Sequence, residues 1–426
     1  MKLGETYNEE ARRWGRPLDG IRVVALEQMQ ALPFATQLLA RLGADVVKVE
    51  PPGRGDSGRA SAPAITRANG ESVGATFLRN NLGKRSVTVD VTLPAGRRLV
   101  LDLAEKADVV CENLGPGRAA KVGLAYEDVR PVNPRAIYLS ISGFGNLEPS
   151  PYKEWPAYAA VAEAMSGIYE YARRPHQPPI INPLGGIGDT GTALYALIGL
   201  LAALRHRDRI GEGQYVDMSM YDAMLSLCDL SYNYWSLGLV RGPEQPLRLP
   251  LILDSFRASD GWVVLQVGRP HQFERLAGIL GHAEWVGDRR FAGGGWVAQF
   301  EPTVRPALEQ WAAGRTMLES ARALAEAGLA AAPCYTGSQV AGDEHVRLRR
   351  MVVEVPRTDG VDQPVLVAGN PVKMTKVAEG PDRPIPMLGE HNREVLAEWL
   401  ELDAGQIDRL YAEGALGPAA AGDAAG

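Results

Sequence analysis

The chain has 426 residues, 46% of them hydrophobic and 23% charged, with 45 Lys and Arg against 51 Asp and Glu and a formal charge of −6. That balance excludes a disordered or fibrous chain, and it lacks the strongly basic character of a dedicated nucleic-acid binder. A chain of this length divides into two or three domains and buries a large core.

The first structured unit reads strand, helix, strand. Residues 21–26 (IRVVAL) suit a strand covered on both faces, because the apolar run is continuous rather than alternating. Pro33 sits in the first turn of a helix that buries Phe34, Leu38, Leu39 and Leu42 and closes at Gly43, and residues 45–50 (DVVKVE) form the next strand. The pattern recurs with a strand over 86–91, a helix over 94–107, and strands over 108–111 and 136–142. Such alternation predicts an α/β fold, a doubly wound parallel sheet with helices on both faces. Residues 158–167, 189–204 and 215–227 read as helical, and 256–267 as a hairpin about Asp260–Gly261. A smaller α+β domain follows, and the chain ends in two helices near 392–400 and from about 403. The longest apolar run, about 193–204, falls short of a bilayer, and residues 1–20 carry no apolar leader, so a cytoplasmic location and no membrane partner are expected.

Several motifs carry chemistry or imitate it. Gly53–Gly58 matches GxGxxG, but two prolines precede it and no helical periodicity follows, so a Gly-rich surface loop is the reading. Asn113–Gly117 (NLGPG) follows a strand C-terminus, where open α/β sheets place ligands, with Arg118 and Lys121 as nearby cations. His176 lies in a proline-fixed segment, RRPHQPP, and Asp189, Thr190 and Thr192 stand where a helix cap is needed. Cys111, Cys228 and Cys334 are far apart and read as buried free thiols, and no metal site is expected.

Taken together, residues 17–20, 38–50, 52–56, 81–86, 107–117, 188–204, 213–223 and 388–393 resemble the class III CoA-transferase family (CaiB/BaiF type, which includes formyl-CoA:oxalate CoA-transferase). The resemblance implies a large, discontinuous Rossmann-like domain (1–225 and 336–426), a smaller α+β domain with its linker (226–335), and an interlocked ring-like dimer. It places coenzyme A, a substrate rather than a permanent cofactor, against Met29, Gln30 and Ala31, with Asn113, Leu114 and Lys121 near its adenine and phosphates. It also implies a nucleophilic Asp before a Gly-Pro-Pro run, and here that position is His176 followed by Gln177. The glycine-rich lid is likewise missing from residues 242–253.

The resemblance therefore implies a CoA-transferase subunit whose paralogous partner supplies the Asp, acting on acyl-CoA and carboxylic acids. One family enzyme built in this way takes CoA from succinyl-CoA to benzylsuccinate in toluene degradation. An acyl-CoA racemase or isomerase is the alternative, with Asp189 at its Asp position but Tyr158 where its His would stand. A non-enzymatic CoA-binding protein is the third.

Overall fold

The computed structural model describes residues 1–67, 70, 72–173, 176–182, 186–239, 251–357 and 359–417. It comprises two units, one of residues 1–238 with 347–426 and a second of residues 239–346. The sequence reading draws the corresponding boundaries at 226 and 335.

In the first unit, strands β1 (Arg22–Leu26), β2 (Asp45–Glu50), β3 (Arg85–Thr88), β4 (Val109–Glu112), β5 (Ile137–Ser142) and β6 (Tyr215–Ser219) form one sheet. Its order is β3-β2-β1-β4-β5-β6, and every pairing is parallel. This is the doubly wound order, whose direction of winding reverses between β1 and β4. β6 corrects the sequence reading, which made 215–227 a continuous helix. Only Met220–Leu227 is helical there, starting at the Ser219 cap, whose side chain accepts from the Asp222 N–H.

The period of two in β1 explains why both sheet faces are covered. Val23 and Ala25 enter one core, with helix α1 (Ala31–Arg41) and helix α2 (Ile187–Ile210). Val24 and Leu26 enter the other, with Leu99, Val100 and Leu103 and with Val395, Leu396 and Trp399 from the returning C-terminal segment. That segment also seals the β3 edge. The Asn392 side chain accepts from the Thr88 N–H at 2.8 Å, and the His391 N–H donates to the Ser86 carbonyl at 3.0 Å. The LGEHNR motif at 388–393 is thus a device for closing a sheet edge.

Helix α2 is longer than the apolar run in the sequence suggests. It has 24 residues and is long and apolar enough, by length and composition, to cross a membrane. Half of its most apolar window is buried inside the fold, where Ala193, Ala196 and Leu200 pack in the same core as α1.

The second unit holds an antiparallel sheet of β7 (Ile252–Arg257), β8 (Trp262–Val267) and β9 (Ala330–Pro333), in the order β9-β8-β7. β7 and β8 form the expected hairpin, with the Ala258 N–H donating to the Gly261 carbonyl at 2.8 Å. Its core stacks Phe273 against Trp296 and Phe291. Of the expected lid region, 242–253, residues 242–250 lie outside the described residues. Of the three thiols, Cys111 is buried, Cys228 half-buried and Cys334 exposed, which corrects the reading of all three as core residues.

Candidate active site

The winding reverses between β1 and β4, and the carboxyl ends of strands at such a reversal are the standard ligand position in sheets of this kind. The two loops that leave them are tied together. The Asn113 side-chain oxygen accepts from the Gln28 N–H at 2.9 Å, and its amide donates to the Gln28 carbonyl at 3.0 Å. The structure therefore brings Met29, Gln30 and Ala31 beside Asn113 and Leu114. The Leu114 N–H is held in turn by the Glu112 carboxylate at 2.8 Å. Lys121 is exposed and ends a short helix, Arg118–Lys121, reached through the left-handed turns of Gly115 and Gly117.

Met29 is unusual. Its φ is +62°, a left-handed conformation that a side-chain-bearing residue adopts only when its surroundings impose it. Its N–H donates to the Asp56 carboxylate at 2.9 Å. Asp56 belongs to the GxGxxG-like segment, where the surface-loop reading holds for Gly53, Arg54 and Ser57, which are exposed, but not for Gly55, Asp56 and Gly58, which are buried. Asp56 is 1% exposed and Arg59 5%. Gly53 (φ +79°) and Gly55 (φ +64°) turn the chain inward, and a Cβ on Gly55 would meet the Glu50 carboxylate at 2.8 Å. The glycines serve a buried carboxylate rather than a pyrophosphate.

Asp56 belongs to a network of three carboxylates and three cations. Lys48 Nζ lies 2.8 Å from Asp56 and 3.2 Å from Glu27. Lys84 Nζ lies 2.6 Å from Glu27, and Arg59 donates to Glu50 at 2.7 Å. Burial opposes the charge on Glu27, but Lys48 and Lys84 outweigh it and hold the carboxyl below its usual range. Burial also pushes the Lys84 ammonium down to about 8.

A second cluster faces Gln30 from the start of α2. Arg79 donates to the Gln30 side-chain oxygen. A Cβ on Gly186 would overlap the Gln30 amide and stand 3.4 Å from an Asp189 oxygen. Asp189 is not the helix cap that the sequence suggests. α2 begins two residues earlier, at Ile187, which leaves Asp189 inside the first turn. Glu163, 2% exposed, accepts from the Gly188 N–H at 2.9 Å and from the Tyr169 hydroxyl. Burial first, and the nearby Glu163 charge second, raise the Asp189 carboxyl to about 6, with Arg79 opposing. A carboxyl raised in this way takes up its proton at a higher pH than an exposed aspartate does.

His176 sits apart in character, on an exposed turn with φ +60°, next to Gln177, whose carbonyl accepts from Arg173 at 3.1 Å. Tyr158 is 74% exposed just before the helix of Ala159–Met165. Sequence reasoning missed Arg79, Glu163, Lys48 and Asp56. Glu163 had a usable signal, a lone acid in an otherwise apolar helical turn (AAVAEAM), since an isolated carboxylate in such a run must find buried partners. Among the described residues, no cluster of three His, Cys, Asp or Glu side chains could hold a metal.

The family model described as CoA-transferase family III matches residues 18–392. A succinyl-CoA:mesaconate CoA-transferase of Haloarcula hispanica is 37% identical over 391 residues, which cover 89% of this chain and 96% of that protein. The β subunit of a succinyl-CoA–L-malate CoA-transferase of Chloroflexus aurantiacus is 32% identical, over 92% of this chain and 96% of the subunit. Among solved structures, a CaiB/BaiF family protein from Brucella suis superposes with a TM-score of 0.78 at 32% identity, covering 90% of this chain and 99% of its own.

Proposed function

Because the chain belongs to CoA-transferase family III, whose enzymes take CoA thioesters as substrates, we propose that it is the nucleophile-lacking subunit of a heteromeric transferase acting in the cytoplasm. Its donor is succinyl-CoA, the thioester named for both sequence relatives above. Its acceptor is a second carboxylic acid, with an aryl-substituted dicarboxylate such as benzylsuccinate as the specific choice.

The observation that carries this reading is His176-Gln177 at the position where the family resemblance calls for the attacking Asp. Acid-to-acid transfer needs a carboxylate there. Its oxygen attacks the thioester carbonyl, the C–S bond breaks, and a mixed anhydride and CoA thiolate result. The thiolate then attacks the enzyme carboxyl carbon and releases the first acid, and the second acid reverses the sequence. An imidazole at that position has no carboxyl carbon to carry the thiolate, so a paralogous subunit must supply one. Leu230, Tyr232, Trp235 and Leu237, exposed on and just beyond the helix of Asp229–Ser236, offer apolar surface for such a partner. The β-subunit name of the Chloroflexus relative also fits a two-subunit arrangement.

In this reading Met29, Gln30 and Ala31 receive the thioester end of CoA. Asn113 and Leu114 line its path, and Lys121 supplies a cation for its phosphates. The purified chain is expected to transfer no CoA from succinyl-CoA to benzylsuccinate or other dicarboxylates, and His176→Asp to create measurable transfer. Normal turnover by the unmodified chain alone would overturn the proposal.

The raised Asp189 carboxyl supports a second reading, an acyl-CoA racemase or isomerase, because a base near neutrality suits α-proton exchange. Deuterium wash-in at the α-carbon of an acyl-CoA is its signature, and Asp189→Asn would abolish it.

A further inference from the structure

Six ionised side chains lie beneath the loop that follows β1. Glu27, Lys48 and Lys84 have fully enclosed side chains, as do Glu50 and Asp56, and Arg59 is 6% exposed at its side chain. Such a network is costly to desolvate and is weak as a device for stability alone, since apolar residues of similar volume do as well. Its geometry shows what else it does.

Three consecutive residues leaving β1 have their backbone fixed by side chains of this region. Lys48 Nζ lies 3.3 Å from the Glu27 carbonyl, Asn113 brackets both polar groups of Gln28, and Asp56 accepts from the Met29 N–H at 2.9 Å. The last of these coincides with the left-handed φ of +62° at Met29. The same Asp56 oxygen accepts from the Gly58 N–H at 2.7 Å, and its other oxygen lies 2.8 Å from Lys48 Nζ as an ion pair outside hydrogen-bond alignment. The two N–H donors fix the first oxygen, and the ammonium charge favours the carboxylate's orientation. A sparsely populated backbone conformation of this kind persists where the surroundings over-determine it.

We propose that Asp56, held in place by Lys48, is a positioning residue that keeps Met29 in its left-handed conformation and so aims the Met29–Gln30 segment at the thioester end of the CoA substrate. This rests on the reading of Met29 and Gln30 as the thioester site. Asp56 touches no substrate. It acts through one backbone N–H, and the charge of Lys48 serves to orient its acceptor.

Two double variants of the full chain isolate that hydrogen bond at constant charge. Asp56→Asn with Lys48→Met removes the ion pair but keeps an acceptor for Met29, whereas Asp56→Ala with Lys48→Met removes both. Hydrogen–deuterium exchange of the peptide spanning residues 27–31 reports the geometry, and calorimetric titration with succinyl-CoA and with free CoA reports the site. The Ala variant is expected to exchange its Met29 amide at least tenfold faster than the Asn variant. Its affinity for succinyl-CoA is expected to fall five- to tenfold against the Asn variant, and its affinity for free CoA by less than twofold. Equal exchange in the two variants overturns the proposal, and so does an equal loss for both ligands, which a merely structural role would give. If the exchange difference appears but the wild-type chain binds neither ligand, the thioester-site reading itself has failed.

Discussion

The charged clusters on either side of Gln30 solve opposite problems. Below the loop after β1, three carboxylates are matched by three cations, and the carboxyls of Glu27, Glu50 and Asp56 are all held below their usual range. At the start of α2, Asp189 and Glu163 face each other with Arg79 as the cation acting on Asp189, and the Asp189 carboxyl rises to about 6. The matched cluster behaves as scaffold. The unmatched one stores unfavourable charge, and such storage is found where a fold needs reactivity. The balance of neighbouring charges, more than the depth of burial, thus separates the ionised carboxylates of one cluster from the raised Asp189 of the other.

The sharpest way to break this contrast is to unbalance the scaffold. Lys84→Met leaves Glu27 with Lys48 as its remaining close cation, and loss of one partner of a buried pair costs about 3–5 kcal/mol. Chemical denaturation of the full chain should show that loss, and adding Glu27→Gln should recover most of it by restoring neutrality.

Relieving the unmatched cluster should do the reverse. The native Asp189 carboxyl binds its proton more tightly than the unfolded one, at about 6 against 3.8. Its charge therefore costs nothing below pH 4, costs progressively more as pH rises through 6, and the full penalty remains above that. Asp189→Asn is expected to stabilise the protein by about 3 kcal/mol at pH 7 and by less than about 1 kcal/mol at pH 4. Denaturant midpoints at both values check the sign.

A smaller effect sharpens the geometry between the clusters. Gly186 has φ +101°, and a Cβ there would displace the Gln30 amide. Gly186→Ala should cost about 1 kcal/mol in stability from the backbone alone. It should weaken CoA binding more than that strain explains, which a titration set beside the denaturation curve will show.

Much of the fold was legible in local patterns. The strands β1, β2, β4 and β5 are buried along almost their whole length because both faces are covered, and their β-branched and aliphatic residues mark them as strands despite Lys48 and Glu50 in β2, Glu112 in β4 and the serines of β5. β6 was not legible. Val216, Met218 and Met220 are spaced two apart, but they run directly into the helix of Met220–Leu227, and the strand's half-buried edge position gives no clear alternation. The ends of β1 and β4 could be singled out from topology as the place where such sheets put ligands, and Asp189 could be singled out from its place at a helix start. Glu163 stands out as a lone acid in an apolar turn, but that it and Arg79 act on Asp189 was not legible, since tertiary packing brings them there. The GxGxxG-like run misled for a related reason. Glycine content suggests exposure, while the partner that draws Asp56 inward, Lys48, sits mid-strand among valines.

The edge closure of β3 sets an order of events during synthesis. Asn392 and Thr88, which complete that edge, are separated by 304 positions along the chain. While the ribosome is still making the intervening residues, β3 presents unpaired backbone groups, and the core beneath the helix of Pro94–Glu105 lacks Val395, Leu396 and Trp399. An open edge of this kind is a template for wrong pairing. A nascent chain stalled before residue 392 is then expected to be a client of chaperones, and proteins shortened from the C-terminal side should be lost to aggregation before they are lost to inactivity.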